Sequence, residues 1–517
     1  MNPLFILLTI VAYFAALFGI SWLTSRKADN QSFFVGNRKS SWYVVAFAMI
    51  GSAISGVTFV SVPGMVAGNS FAYLQMALGF VAGQFIIAFV LIPLFYKMNL
   101  TSIYEYLSNR FGIASYKTGA WFFFISKMLG AAVRLYLVCF VLQLLVFEPI
   151  LLPFLQKHLS SLDTYMPSLF KHLLFLLNVA VSMALTWLYT YRGGVKTLIW
   201  TDSFKTLCLI VSVVMCIYYI ASGLGFHFGE MWAAINAHDY SRIFFFDDIN
   251  DKRYFLKQFL AGAFTVIAMT GLDQDFMQKH LSCKNPKDSQ KNIITSGLLQ
   301  FGVIYLFLLL GVLLYIFAAS NHVAIPEKSD DLFPLLATGG YFPVVVGVLF
   351  IIGLIAAAYS AAGSALTSLT TSFTVDILQS AKQGTEAKIA DRRKKVHVGM
   401  AVLMGIVIVV INLLNNTSVI NAVYVLASYT YGPILGMFAF GIFTKWTVKD
   451  KYLPLVAILS PALCLLIDLH SEAWLNGYKF SYELLIMNAA FTFIGLVCLI
   501  KRSSGSRQFA VAVGSKQ

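Results

Sequence analysis

Residues 356–368 read Ala-Ala-Ala-Tyr-Ser-Ala-Ala-Gly-Ser-Ala-Leu-Thr-Ser, and Ser360, Ser364, Thr367 and Thr371 recur at steps of three and four residues. On a helix that spacing puts four hydroxyls on one face. Hydroxyls opposed by the carbonyls of unwound backbone can replace the water shell of a small hard cation. The same small residues also suit close helix contact, and both readings stand at this point. A source of unwound carbonyls lies in residues 42–68, which hold Gly51, Ser52, Ser55, Gly56, Thr58, Ser61, Pro63 and Gly64. Asp202 lies in an apolar stretch three residues before Lys205. It can pair with that lysine across one turn or receive a cation. Lys127 and Arg134 are seven residues apart in another apolar stretch. A buried arginine there can hold a solute carboxylate bidentately or pair with another protein group.

The elements that position these residues must be membrane spans. Hydrophobic residues make up 59% of the 517 and charged residues 12%, too little polar surface to coat a water-facing particle. The formal net charge of +14 is then a statement about orientation rather than nucleic acid. The six cysteines lack metal-like spacing and read as small buried hydrophobes. The first apolar stretch, 3–23, has no basic segment before it and reads as a retained span. Thirteen candidate spans follow from length and hydropathy: 3–23, 42–68, 71–97, 117–147, 172–190, 196–222, 254–279, 291–319, 341–378, 397–415, 418–443, 452–470 and 481–500. Alternate loops are basic, with Arg26, Lys27, Arg38 and Lys39, then Lys279 to Lys291, then Lys382 to Lys395. Those loops and the tail hold 26 of the 37 basic residues, against 8 on the other side. The N-terminus is therefore expected outside and the C-terminus in the cytoplasm. The loop 223–253, with Trp232 and Phe244 to Asp248, is expected over the outer mouth, and Ile103–Phe111 along the inner surface.

Backbone exposed at membrane depth is tolerated only where it lines a cavity or is buried in protein. The interruption in 42–68 has a partner five spans later in 254–279, with Gly262, Thr265, Thr270 and Gly271. An odd offset makes the two helices enter from opposite sides, as in two inverted five-helix repeats with the solute between them. The repeats would span 42–222 and 254–443. Residues 1–41 would form an accessory helix and basic loop, 452–500 two accessory helices, and 501–517 a cytoplasmic tail, all within one transporter domain. From a rise of 1.5 Å per residue, Gly51 and Ile54 lie roughly 14–18 Å along their helix and Ser360 roughly 20 Å along its own, so they can meet near the midplane. The eight histidines sit in loops or at span ends, and there is no Gly-Lys-Ser/Thr nucleotide motif. Neither an enzyme nor an ATP-driven pump is expected.

Ile54-Ser55-Gly56-Val57-Thr58-Phe59-Val60-Ser61-Val62-Pro63 resembles the first core helix of the sodium:solute symporter family. Tyr191-Arg192-Gly193-Gly194-Val195-Lys196 through Trp200-Thr201-Asp202 resembles its Gly-Gly…Trp-Thr-Asp signature. Gln274-Asp275 with Gln278-Lys279 is similar to the end of the sixth core helix, Ala356–Ser368 with Phe373 and Asp376 to the eighth, and Gly432-Pro433 to the tenth. The resemblance implies an all-α, polytopic LeuT-type fold of 5+5 inverted repeats. It implies one sodium site on carbonyls of Gly51, Ile54 and Ala357 with the Ser360 hydroxyl. A second cation site or release path would use Asp202 and Ser364, with Ser360 and position 363. Ala361 and Gly363 stand where relatives carry hydroxyls. Ser55, Thr58, Gln75 and Thr265 are then candidates to hydrogen-bond a polar solute. Arg134 joins them, although the carboxylate-binding arginine of the family's sialic acid symporters aligns one turn earlier.

The expected function is import of a small polar organic solute by alternating access. The solute would be a sugar, a sugar acid such as sialic acid, an inositol or a carboxylate, and sodium the coupling ion. No other metal, cofactor or nucleic acid is implied. The setting would be a bacterial cytoplasmic membrane, the protein in contact with the lipid bilayer and monomeric. Sodium-independent or proton-coupled transport on the same fold is the first alternative, and a membrane sensor or regulatory subunit the second.

Overall fold

The computed structural model describes residues 3–26, 28–151, 153, 167–379, 385–414, 417–474, 478, 480 and 483–501, and among them every regular element is a helix. Lys27, Lys382 and the tail from 502 lie outside the described residues. In chain order come α1 (Pro3–Ser25), the bent pair α2 (Trp42–Ala53) and α3 (Gly56–Gly64), α4 (Val66–Lys97), α5 (Ile113–Leu142), α6 (Pro167–Thr190) and α7 (Gly194–Gly223). A second bent pair follows, α8 (Phe255–Gly271) and α9 (Gln274–His280), then α10 (Pro286–Ser320) and α11 (Val344–Ile377). The chain closes with α12 (Glu386–Leu414), α13 (Thr417–Phe443), α14 (Asp450–Leu469) and α15 (Leu484–Cys498).

Among the described residues nine helices are long and apolar enough to cross a membrane, and the two bent pairs pass the same test as broken spans. Each falls on one of the stretches expected from the sequence. Several boundaries differ. α4 begins at Val66 rather than 71, α5 at Ile113 rather than 117, and α12 at Glu386 rather than 397. The last shift takes His397 away from a span end and into a helix, where its ring nitrogens bond Thr190 and Thr370 at 2.9 and 2.8 Å. Polarity alone had kept 386–396 out of the span. A helix that continues past the apolar core needs only solvated side chains there.

Both breaks fall where the sequence is rich in glycine and hydroxyls. α2 and α3 meet at 68°, and α8 and α9 at 75°. At the first break Ile54 is extended (φ −92, ψ 112), and the Ser55 side chain caps α3 by accepting from Thr58 N at 3.3 Å. At the second, α8 closes in a wide turn, Ile267–Gly271, and Asp273 caps α9 by accepting from Asp275 N at 2.8 Å and Phe276 N at 3.3 Å. Such a cap is worth about 1 kcal/mol. It lets a new helix start at once in a new direction.

Glycines bring α4 and α8 into backbone contact. A Cβ on Gly79 would lie 2.9 Å from Ala263 N, and one on Gly262 would lie 3.0 Å from the Met76 carbonyl carbon. The first is closer than real Cβ atoms approach, and so is the contact a Cβ on Gly262 would make with the Met76 carbonyl oxygen. α2 is similarly tight on α7, where a Cβ on Gly51 would lie 2.5 Å from Thr206 Oγ1.

The segment expected along the inner surface departs from that picture. Ile103, Tyr104, Tyr106 and Leu107 are buried, and Arg110 donates to the carbonyls of Gly441, Thr444 and Trp446. Its apolar face is covered by protein rather than lipid. In the loop 223–253, Phe245 is buried and its N–H donates to Gln75 at 3.2 Å, which ties the loop to α4. Of the six cysteines, four are buried, Cys208 is half-buried and Cys498 is exposed, all without disulfides.

Candidate functional site

Two hydroxyls of the α11 stripe, Ser360 and Ser364, meet α7 at Asp202. Asp202 is fully buried and accepts from Ser360 at 3.0 Å on Oδ1 and from Ser364 at 3.3 Å on Oδ2. Ser52, in the last turn of α2, donates to Oδ2 at 3.2 Å. The expected partner Lys205 is present, with Nζ 3.3 Å from Oδ1. It also donates to Tyr189 OH at 3.1 Å and to the Tyr359 carbonyl at 3.2 Å.

A second lysine completes the cluster. Lys279 Nζ, from α9, lies 2.9 Å from Asp202 Oδ2 and 2.6 Å from Ser52 Oγ, and it also donates to Ser364 Oγ. Its side chain is fully buried. From the sequence it counted among the basic residues of a cytoplasmic loop. The missed signal was position: Lys279 lies one turn after Asp275, at the end of a segment that restarts just after a break.

The helices that carry Gly51, Ile54, Ala357 and Ser360 pack against one another. The break seats Gly56 against Leu354 and Ala358, on the turn of α11 that carries Ala357. Gly51 N donates to Thr206 Oγ1 at 2.9 Å, one turn from Asp202. α2 ends at Ala53, and after Ile54 N donates to the Ile50 carbonyl at 2.9 Å the chain turns away, so the later carbonyls of the last turn have no further helical donor. The Ser360 proton is directed to Asp202. Its lone pairs stay available to a cation.

Gly363 has a packing reason. A Cβ there would lie 2.7 Å from Tyr189 Cζ and closer still to the phenolic oxygen. That oxygen donates to the Tyr359 carbonyl at 2.6 Å and receives Lys205. A serine at 363 and this tyrosine cannot share the space.

Beside the cluster is a cavity of about 170 Å³ lined from α2, α4, α5, α8 to α11 and α13. Arg134 and Thr265 line it, along with Lys127, Thr270, Gln300, Ala361 and Tyr431. Ser55, Thr58 and Gln75 do not. Ser55 and Thr58 bond each other at 3.1 Å at the start of α3. Gln75 is fully buried and donates to the Arg253 carbonyl at 2.8 Å while accepting from Phe245 N. Its amide is spent on holding the loop. Thr367 and Thr371 lie further along α11, both buried, with Thr371 bonded to the Thr367 carbonyl.

Lys127 pairs with Asp275 at 2.7 Å and with Asp273 at 3.2 Å, and Tyr431 OH donates to Asp273 at 2.6 Å. Lys279 is 3.8 Å from Asp275. Three lysines and three aspartates therefore alternate through the core, from Lys205 through Asp202, Lys279, Asp275 and Lys127 to Asp273. Their formal charges sum to zero. Arg134 stands outside this chain. It is half-buried, and no carboxylate of the described residues lies within ion-pair distance.

The sequence model of the sodium:solute symporter family matches residues 33–136 and 169–450. The chain is 25% identical over 457 residues to the sodium/sialic acid symporter NanT of Aliivibrio fischeri, covering 85% of this chain and 83% of that one. It is 23% identical to the human sodium/iodide cotransporter, over 80% of this chain and 61% of the other. A solved structure of a sodium-coupled sialic acid symporter, outward-open with substrate bound, superposes with a TM-score of 0.76 over 95% of this chain and 97% of that chain, at 19% identity. With two helix breaks around a buried oxygen cluster and a family match over most of its length, the chain belongs to the sodium:solute symporter family.

Proposed function

We propose that this sodium-coupled importer carries a small organic anion, with Arg134 binding its negative group in the cavity beside the first helix break. The observation that carries this reading is the charge inventory. The six-residue ion chain is neutral and its carboxylates are taken by lysines, whereas the Arg134 guanidinium lines the cavity with no carboxylate of the described residues within ion-pair distance. An anionic solute would neutralise it with bidentate, charge-assisted hydrogen bonds. Relatives in the family are named for sialic acid, iodide and monocarboxylates, all anions at neutral pH. Thr265, Thr270 and Gln300 supply neutral hydrogen-bonding groups for the rest of the solute.

Sodium would bind on the Gly51, Ile54 and Ala357 carbonyls and the Ser360 hydroxyl. It would favour the form in which the broken helices close around the solute. The reading takes residues 42–222 and 254–443 as inverted repeats, with the N-terminus outside in a bacterial cytoplasmic membrane and the protein acting as a monomer.

The test is thermal stabilisation of the purified protein by sialic acids, short carboxylates and neutral sugars, each in sodium or choline. An anion should stabilise in sodium. Arg134→Met should weaken it roughly ten- to hundredfold, since a hydrogen bond to a charged group is worth about 1.5–3 kcal/mol. A neutral sugar as the sole stabilising solute, unaffected by Arg134→Met, would overturn the assignment.

A further inference from the structure

We propose that the Lys279 ammonium is a tethered cation filling the oxygen cradle of Asp202, Ser52 and Ser364, so that the protein's own side chain takes the place of a second coupling ion. The inference rests on the sodium-coupled reading and sets how many ions it uses.

Three oxygens from three helices converge on one point: a carboxylate oxygen of α7, a hydroxyl of α2 and a hydroxyl of α11. A carboxylate with two hydroxyls is hard-cation chemistry. The point is taken by a fully buried nitrogen, 2.9 Å from the carboxylate and 2.6 Å from Ser52. Tyr189 packs against Gly363, which leaves no room there for a side-chain oxygen, and its hydroxyl accepts from Lys205, which meets the other oxygen of the same carboxylate. Asp202 thus carries one ammonium on each oxygen.

Charge gives the same answer. All three cradle oxygens already face the Lys279 ammonium, so a metal ion added among them would stand in contact with a buried cation. The Ser360 hydroxyl is different. It points its proton at Asp202 Oδ1 and does not touch Lys279 among the contacts described. One sodium site can therefore coexist with the filled cradle.

The tether has a transport consequence. Lys279 sits on α9, beyond a 75° break, while Asp202 and Ser364 sit on continuous helices. When α9 moves, the ammonium is withdrawn and later returned, and its charge is never released. The cycle uses a single sodium.

Melting temperature of the full chain against sodium, with choline as replacement, provides the test, for wild type, Lys279→Ala and Lys279→Ala with Asp202→Asn. Wild type should follow a single-site curve. Lys279→Ala should gain a second sodium-dependent phase, lost again in the double variant, and should be stabilised by ammonium chloride where wild type is not. A wild-type curve that requires two sodium ions, or a Lys279→Ala curve identical to wild type, overturns the proposal. If Lys279→Ala does not yield monodisperse protein, the number of sodium ions bound per wild-type chain at saturation, counted with radiolabelled sodium, decides: one supports the proposal, two refutes it. No solute enters these curves, so failure to find an anionic substrate would refute the Arg134 reading and leave this result standing.

Discussion

Gly363→Ala is the smallest change that probes the packing behind the cation cluster. The new methyl would lie 2.7 Å from Tyr189 Cζ, on a ring that is fully buried and bonded at both the Tyr359 carbonyl and Lys205. Overpacking of this kind costs about 1–3 kcal/mol. If the ring is pushed aside, two hydrogen bonds of about 1 kcal/mol each go with it. The expected destabilisation is therefore roughly 3–5 kcal/mol at most, large against the usual marginal stability. A thermodynamic cycle isolates the cause. In a Tyr189→Leu background the added methyl meets empty space, so the two changes together should cost at least about 1 kcal/mol less than their sum. Unfolding in mixed micelles, followed by tryptophan fluorescence, measures all four proteins. If Gly363→Ala lies within about 0.5 kcal/mol of wild type, the tyrosine is not what excludes a side chain at 363, and the reasoning fails.

Two further outcomes follow from the same geometry. Ser360→Ala removes the hydroxyl expected to ligate sodium, so the sodium concentration needed for half-maximal stabilisation should rise before solute contacts are affected; an unchanged sodium curve removes Ser360 from the site. Lys127→Met leaves Asp273 and Asp275 buried without their shared cation, a loss of about 3–5 kcal/mol by the behaviour of broken buried pairs. Adding Asp275→Asn should restore part of that stability in the same unfolding assay, and no restoration would mean that Lys127 acts through its packing alone.

The sequence was most legible where function forces unusual residues into a span. Glycine and hydroxyls marked both helix breaks, and Asp202 with Lys205 was visible as a charge that needs a partner. The alternating ion chain was not visible, because its members come from α5, α7 and α9 and meet only after the second break turns the chain by 75°. Lys279 shows why. Counted as a loop residue it supports an orientation, while in the fold it is among the most buried side chains. Gln75 errs the other way: a polar side chain in a span suggests a cavity, yet its amide serves backbone groups of Phe245 and Arg253, some 170 residues further on. No local pattern encodes a partner so distant.

The glycine contact between α4 and α8 limits how this protein can change shape. Gliding of one helix past another needs a cushion of side chains that can switch rotamers in small steps. Where Gly79 meets the backbone of α8 and Gly262 meets that of α4, the cushion is missing, and carbonyls of one helix sit in notches of the other. Shear is blocked along that seam. Rearrangement is left to hinges, and the described spans offer two sharp ones, at Ile54–Ser55 and Leu272–Asp273. α4 and α8 then act as one stiff strut about which the short helices α3 and α9 can turn.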